Sequence, residues 1–450
     1  MASSSQVATP SSTDRPVSQN VADALERIAD LNPTLNAFIS VFEAEAMEQA
    51  RVLDEELRQG RSRGPLHGRT ISIKDLIDIK GVPTTAASRV RAGHIAAADA
   101  PVVARLRDAG AVIIGKTNLH EFALGTTSDE SAFGPMRNPR DPNRSPGGSS
   151  GGSGAAVAAG MGWASIGTDT GGSIRIPASA CGVVGLKPAF GEITTVGVVP
   201  LSVSLDHVGP LAASVGDAWA IYEALIGSSH QPGSAGPIGG VRLGRLGGYF
   251  LEILDGDVRA RYEEALSRLK DAGATIIDLE LRRLPDIAAT YINVALPEAF
   301  AYHSDALKRA PEEFCRNVRE RLEMGGRISR DAYIQAQGDR AQMRTAVDRA
   351  LADCDVLVLP TMPIPPQPVG ATTVVVGSIE QPLRPLMLRL TQLFNLTGHP
   401  AISIPCGEAQ GLPCGIQLVG RHKQTRELLQ TSLSCEAFVT PHAPSSSRRP

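Results

Sequence analysis

The sequence has no excess of one charge, no long apolar run and no secretory leader pattern. Its 450 residues carry 44 Lys and Arg against 47 Asp and Glu, which gives a net charge of −3. Because it lacks a strong basic field, nucleic acid and anionic membrane surfaces are not expected partners. No apolar run approaches the roughly 18 residues of a membrane-spanning helix. The N-terminal stretch MASSSQVATPSSTDRP has no basic and apolar segments of a signal peptide.

The chain also has few cysteines, and they are scattered. None of the six lies in a C-x-x-C pair, so neither a disulfide framework nor a structural zinc site is expected. Isolated thiols are typical of a reducing compartment, which makes a cytoplasmic protein the expectation. The hydrophobic content of 42% and charged content of 20% are ordinary for a soluble globular protein.

Both ends of the chain differ in composition from the rest. Residues 1–16 and 441–450 are rich in Ser and Pro and are predicted to be tails. Residues 17–440 are predicted to form the folded domain. The first helix is predicted to begin at Val17, and a second to cover Glu43 to Gln59 before Gly60.

A short unit recurs between these limits. The segments LRDAGAVIIG (106–115) and LKDAGATIID (269–278) each combine a helix end, a glycine and a β-branched run. The segment LADCDVLVLP (351–360) follows the same order without the glycine. Helices that alternate with buried strands predict an α/β fold with a mixed or parallel sheet.

Two short motifs match known sites but lack the context that those sites need. Residues 110–117, GAVIIGKT, match the phosphate-binding loop, yet the four intervening residues are apolar and favour a strand. Residues 147–151, GGSSG, match the nucleophile elbow. The preceding residues NPRDPNRSP cannot form the central strand that an elbow follows. We therefore predict neither site.

Three other segments together indicate nucleophilic catalysis. ISIKDLIDIKG (71–81) places Lys74 among apolar residues, and burial lowers the proton affinity of a lysine. A neutral lysine can act as a general base, which a serine nucleophile requires. SPGGSSGGSGAAVAAG (145–160) supplies further serines. In GTDTGGSIRIPASACGVVGLKP (167–188), two glycines before Ser173 allow backbone N–H groups to converge on a developing oxyanion.

These segments resemble the amidase signature family of serine hydrolases. The resemblance extends from about residue 20 to 435 and includes GPLHGRTISIKDL, SLDHVGPLA, FNLTGHPAISIP and GLPCGIQLVGR. It implies a single α/β/α sandwich with a mixed central sheet. It also implies a Ser–cis-Ser–Lys triad of Ser173, Ser149 and Lys74, with a cis peptide bond between Gly148 and Ser149.

The resemblance assigns supporting roles as well. Ser150 is expected beside the triad, and Arg175 is expected to pair with Asp169 and hold the loop. No metal and no cofactor are implied, and histidines such as His120, His207 and His399 are expected to be structural. The implied oxyanion hole is formed by the backbone N–H groups of Thr170, Gly171, Gly172 and Ser173.

From this resemblance we expect the chain to be an amidohydrolase that acts on a small-molecule amide, anilide or carbamate. The alternatives are the glutamine-hydrolysing subunit of an aminoacyl-tRNA amidotransferase, an allophanate-type hydrolase, and a binding protein without catalysis. The intact Lys74, Ser149 and Ser173 argue against the last. The sequence leaves open whether the chain forms a homodimer.

One residue departs from the family pattern. TSDESAFGP (127–135) has Glu130 where the family often has Asn. Either Glu130 faces solvent or it alters the polarity of the substrate pocket. Substrate choice is expected to depend on residues 120–145 and 290–345.

Overall fold

The computed structural model describes residues 15–440 of the chain. Of the two predicted tails, residues 1–14 and 441–450 lie outside the described residues. The first helix begins at Val17, as predicted, and the second ends at Arg58, one residue before its predicted end. The division of the chain at residues 17 and 440 stays a prediction.

Thirteen strands are present within the described residues. They are β1 (Phe38–Val41), β2 (Thr70–Lys74), β3 (Val112–Thr117), β4 (Ala164–Asp169), β5 (Val184–Lys187), β6 (His207–Ala212), β7 (Arg242–Leu246), β8 (Thr275–Leu279), β9 (Val356–Pro360), β10 (Thr373–Val376), β11 (Ile379–Pro382), β12 (Ala401–Ala409) and β13 (Leu412–Val419).

Fourteen α-helices accompany these strands in the same part of the chain. They are α1 (Val17–Leu35), α2 (Glu43–Arg58), α3 (Pro101–Asp108), α4 (Gly151–Ala158), α5 (Arg175–Cys181), α6 (Val215–Ile226), α7 (Tyr249–Glu252), α8 (Gly256–Asp271), α9 (Ile287–Arg309), α10 (Arg316–Gly325), α11 (Arg330–Ala352), α12 (Leu383–Leu388), α13 (Gln392–Leu396) and α14 (Thr425–Val439). None of the helices between residues 15 and 440 combines the length and apolar character needed to cross a bilayer.

Eleven of the strands form one mixed sheet in the order β1-β3-β2-β4-β6-β5-β12-β13-β9-β7-β8. β2 pairs in parallel with β3 and β4, whereas β12 and β13 form an antiparallel pair. β10 and β11 form a separate hairpin. The predicted α/β class with a mixed central sheet is therefore confirmed.

The core lies on both faces of this sheet. Successive residues of a strand point to opposite faces. In β9, Val356 and Val358 belong to one apolar cluster, and Leu357 and Leu359 belong to another. Each cluster therefore lies between one face of the sheet and a layer of helices, as in an α/β/α sandwich.

The three recurring units fold as predicted. α3, α8 and α11 are each followed closely by a buried or half-buried strand, namely β3, β8 and β9. Gly110 and Gly273 end the first two helices with φ of 84° and 104°, a left-handed conformation that glycine tolerates best. The residues that match a phosphate-binding loop lie largely within β3, all of whose residues are buried. That part of the chain has no loop that curls around phosphate.

Candidate active site

Lys74 lies at the carboxyl end of β2, the third strand from one edge of the sheet, and every residue of this strand is buried. Its Nζ atom is 2.7 Å from Ser149 Oγ, 2.9 Å from Ser150 Oγ and 2.9 Å from Thr168 Oγ1. The apolar residues that precede Lys74 anchor the strand, so its amine reaches a small cluster of hydroxyl groups.

Burial changes the acidity of this amine. Desolvation lowers the pKa of Lys74 to about 7, even though the carboxylates of Asp169 and Asp206 act to raise it. A lysine with this pKa is partly neutral at neutral pH. Hydroxyl groups both donate and accept, so all three contacts can be satisfied when the amine has lost a proton.

Ser149 lies in the loop that leads into α4. The peptide bond between Gly148 and Ser149 is cis, as the resemblance implies. The backbone carbonyl of Ser149 accepts from the N–H group of His120 at 3.1 Å. Ser150, the next residue, donates from Oγ to the carbonyl of Thr168 at 3.2 Å. The loop is thereby attached to the end of β4.

Ser173 lies in the short connection between β4 and α5 and is buried, with 5% of its surface exposed. Its carbonyl accepts from the N–H group of Ser150 at 3.2 Å, which joins the two serine-containing loops directly. The structure thus brings the predicted Lys74, Ser149, Ser150 and Ser173 into one region, although they are far apart in sequence.

The two glycines before Ser173 are required by close contacts. Gly172 has a φ of 142°, and a Cβ atom there would collide with the Thr391 hydroxyl. A Cβ atom on Gly171 would lie 2.7 Å from the hydroxyl of Tyr291. The carbonyl of Gly171 accepts from Thr391 Oγ1 at 2.6 Å, which fixes this peptide.

Arg175 and Asp169 form the predicted pair at the base of this loop. Arg175 Nη2 is 2.9 Å from Asp169 Oδ1, and both side chains are fully buried. Burial alone would raise the pKa of Asp169, but the guanidinium of Arg175 holds it well below its usual range. Asp169 also accepts from the N–H group of Ile174 at 3.1 Å, so its charge fixes the start of α5.

Several residues of the site were missed by sequence reasoning. The carboxylate of Asp206 accepts from Thr170 Oγ1 at 2.6 Å, and its other oxygen accepts from the N–H groups of Leu201 and Ser202. Burial raises the pKa of Asp206 to about 6. Asn395 donates to Asp169 at 2.8 Å. Asp206 and Asn395 lie in SLDHVGPLA and FNLTGHPAISIP, which carried the resemblance but gave no individual role.

Glu130 does not face solvent freely. Its carboxylate accepts from the amide of Asn317 and lies 3.3 Å from His120 Nε2, with 21% of the side chain exposed. Burial favours the neutral form, but the contacts with His120 and Asn317 lower the pKa of Glu130 overall. Glu130 is therefore an ionised group at the edge of the site, held by neighbouring side chains.

The three histidines named in the sequence analysis are buried, and the rings of His207 and His399 have hydrogen-bond partners, whereas that of His120 has none within the described residues. His207 Nδ1 contacts the carbonyl of Leu205 at 2.7 Å, and His399 Nε2 contacts Asp348 at 2.9 Å. Among residues 15–440, no three His, Cys, Asp or Glu side chains are placed to hold a metal ion.

Comparison with known proteins gives a consistent result. Residues 19–429 match the Amidase family. The chain is 37% identical to a subunit of the glutamyl-tRNA(Gln) amidotransferase of Symbiobacterium thermophilum, with 93% of each chain covered. It is 38% identical to an amidase of Pseudomonas putida, with 94% of this chain and 92% of the relative covered. A crystal structure of an amidase superposes with a TM-score of 0.90 at 38% identity, covering 95% of this chain and 97% of that one.

Proposed function

Because this chain belongs to the amidase signature family and is an enzyme that hydrolyses C–N bonds, we propose that Ser173 attacks the carbonyl carbon of a small amide. In this proposal Lys74 is the general base and Ser149 carries the proton between them. The substrate class is a carboxylic amide or a related anilide or carbamate, and the product of the first step is an acyl-enzyme on Ser173.

The observation that carries the proposal is the position of Lys74. Its amine is fully buried, 2.7 Å from Ser149 Oγ, and has a pKa lowered to about 7. A base is most effective when its pKa lies near the working pH. The buried Lys116, by contrast, holds the carboxylate of Asp75 at 3.0 Å.

The loop before Ser173 supports an oxyanion hole. The N–H groups of Ile174 and Arg175 already donate to Asp169. Within the described residues, no partner accepts from the N–H groups of Gly171, Gly172 and Ser173. Thr170 is fixed by Asp206 at the start of the same turn. Donors that are fixed in advance stabilise the charge of a tetrahedral intermediate.

The reaction then runs in two balanced steps. Ser149 takes the proton of Ser173 and passes its own to Lys74, while Ser173 Oγ bonds to the carbonyl carbon. The C–N bond breaks and the amine leaves with the proton returned through Ser149. Water then attacks the acyl-enzyme through the same relay, releasing the acid and restoring Ser173.

Chemical labelling tests the assignment of the nucleophile. A fluorophosphonate probe should modify the peptide that contains Ser173, and Ser173→Ala should abolish both labelling and turnover. Ser329→Ala, at the exposed start of α11, provides the control and should retain labelling of Ser173. Modification of Ser149 or Ser150 with Ser173 untouched would refute the proposal.

The principal rival is hydrolysis of glutamine within an amidotransferase, the kind of complex named for the Symbiobacterium thermophilum relative. It uses the same family motifs, so the site alone does not separate the two. We favour an enzyme that acts by itself because the net charge of −3 does not favour tRNA as a partner. We further propose a cytoplasmic location, since all six cysteines are free thiols.

A further inference from the structure

Tyr291 lies next to residues 170–173, here called the oxyanion loop, and two arginines act electrostatically on its hydroxyl. Tyr291 of α9 is buried, and its hydroxyl is the atom nearest to a Cβ built on Gly171. Arg384 of α12 and Arg321 of α10 are both within electrostatic reach of Tyr291. The segment that follows α12 contains Thr391, which donates to the carbonyl of Gly171. Tyr291 therefore borders the place where a substrate carbonyl would bind.

The guanidinium of Arg384 has unused hydrogen-bond donors. Its Nε atom is buried and, within the described part of the chain, has no hydrogen-bond partner. Between residues 15 and 440, neither Arg384 nor Arg321 has a carboxylate within ion-pair distance, whereas Arg175 is fully paired with Asp169. A buried donor without a partner is costly unless a ligand supplies one.

The charge of Arg384 persists at neutral pH. Burial, followed by repulsion from Arg321, lowers the pKa of Arg384 to about 10, which still leaves the guanidinium protonated. Of the acidic side chains, Glu130 acts on both arginines and Asp129 acts on Arg321. Both carboxylates also lie beside the ring of His120. The Nε donor of Arg384 is therefore available to a bound anion.

We propose that Arg384, together with the Tyr291 hydroxyl, forms a subsite for a carboxylate of the substrate. The substrate is then an amide that carries a carboxylate a few atoms from its scissile carbonyl and has no ammonium group, because Arg321 lies close by and would repel one. This inference rests on the proposed nucleophile Ser173, since the subsite is defined by its distance from the oxyanion loop.

Paired substrates test the subsite. Succinamate and glutaramate are compared with neutral amides of the same length in which an isopropyl group replaces the carboxylate, and with glutamine. Ammonia release should give a higher kcat/KM for the anionic amides, by about tenfold or more, since a hydrogen bond to a charged group is strong. Glutaramate should also exceed glutamine. Equal rates for anionic and neutral amides, or a preference for glutamine, would overturn the inference.

Variants test whether Arg384 is the source of the preference for anionic amides. Arg384→Gln should lower the ratio of anionic to neutral kcat/KM on the order of tenfold or more, and Arg384→Lys should keep part of it. Arg105→Gln removes a half-buried arginine of α3, which donates to the carbonyl of Leu225, and should leave the ratio unchanged. A ratio unaltered by Arg384→Gln would contradict the assignment.

Binding separates this subsite from the catalytic assignment. Calorimetric titration of the Ser173→Ala protein should show tighter binding of glutaramate than of its neutral counterpart, and Arg384→Gln should remove the difference. If this protein still binds the anionic amide more tightly, but the fluorophosphonate probe does not label Ser173 in the wild-type protein, the nucleophile is refuted and the subsite stands. Equal binding of both amides to the Ser173→Ala protein would refute the subsite.

Discussion

Lys74 links the burial of one side chain to the pH dependence of the reaction. Lys74→Ala should keep the fold but reduce kcat on the order of 10²-fold or more, as for loss of a general base. Because only the neutral amine accepts a proton and its pKa is lowered to about 7, the wild-type rate should rise with pH through about that value. Measured pH profiles of kcat/KM check both points.

A companion variant distinguishes a base from a structural amine. Lys74→Arg retains a positive charge and hydrogen-bond donors but stays protonated, so it should fail to restore turnover. Near-normal activity in Lys74→Arg, or a wild-type profile that is flat across the neutral range, would count against the general-base role.

Asp206 acts on the same amine from a distance. Its carboxylate raises the pKa of Lys74, so removal of this charge in Asp206→Asn should shift the rising limb of the pH profile to lower pH. The variant should also be less stable, because the amide nitrogen that replaces one carboxylate oxygen cannot accept. Either the bond from Thr170 or the bonds from Leu201 and Ser202 are then lost. Asp217→Asn, in the first turn of α6, is the control and should leave the midpoint unchanged. An unshifted midpoint in Asp206→Asn would exclude the electrostatic link.

The turn between β4 and α5 depends on its glycines. Gly172→Ala would force both an unfavourable φ and a collision with Thr391, so it should displace the proposed oxyanion donors and lower kcat by about 10²–10³-fold. Gly191→Ala is the matched control, since Gly191 has a φ of 83° but open space around it. Gly191→Ala should lower the stability of the protein but leave kcat unchanged. Equal kcat in both variants would show that the turn does not serve catalysis.

The sequence predicts those elements whose pattern is local. The apolar spacing after Val17 predicts α1, and the run after Gly110 predicts β3, because both depend on neighbours only a few residues away. The resemblance added the pairing of Arg175 with Asp169, which the structure confirms. The contact of Thr391 with Gly171 spans 220 residues, and no local pattern of apolar or polar residues specifies such a partner.

Arg175 connects distant parts of the fold. It pairs with Asp169 of β4 and donates to Asn395 of α13 and Gln417 of β13. Arg175→Met should lower the free energy of unfolding by about 3–5 kcal/mol, because it leaves the buried Asp169 carboxylate without its ion-pair partner. Denaturant titration measures the loss, and Arg175→Met with Asp169→Leu should recover part of it. If the free energy of unfolding falls no more than it does when an exposed ion pair is removed, the network is not a main source of stability.

The molecule as a whole carries the complete proposed machinery in one chain. Lys74, Ser149 and Ser173 all lie within one mixed sheet and its adjoining loops, and the net charge of −3 does not favour tRNA as a partner. The purified chain alone should therefore release nitroaniline from a 4-nitroanilide, at a rate proportional to enzyme concentration. Ser173→Ala is the control and should be inactive. One component of an amidotransferase should instead act on glutamine, and only after its partner proteins are added. That result, with no turnover of the anilide by the single chain, would replace the proposed function with its rival.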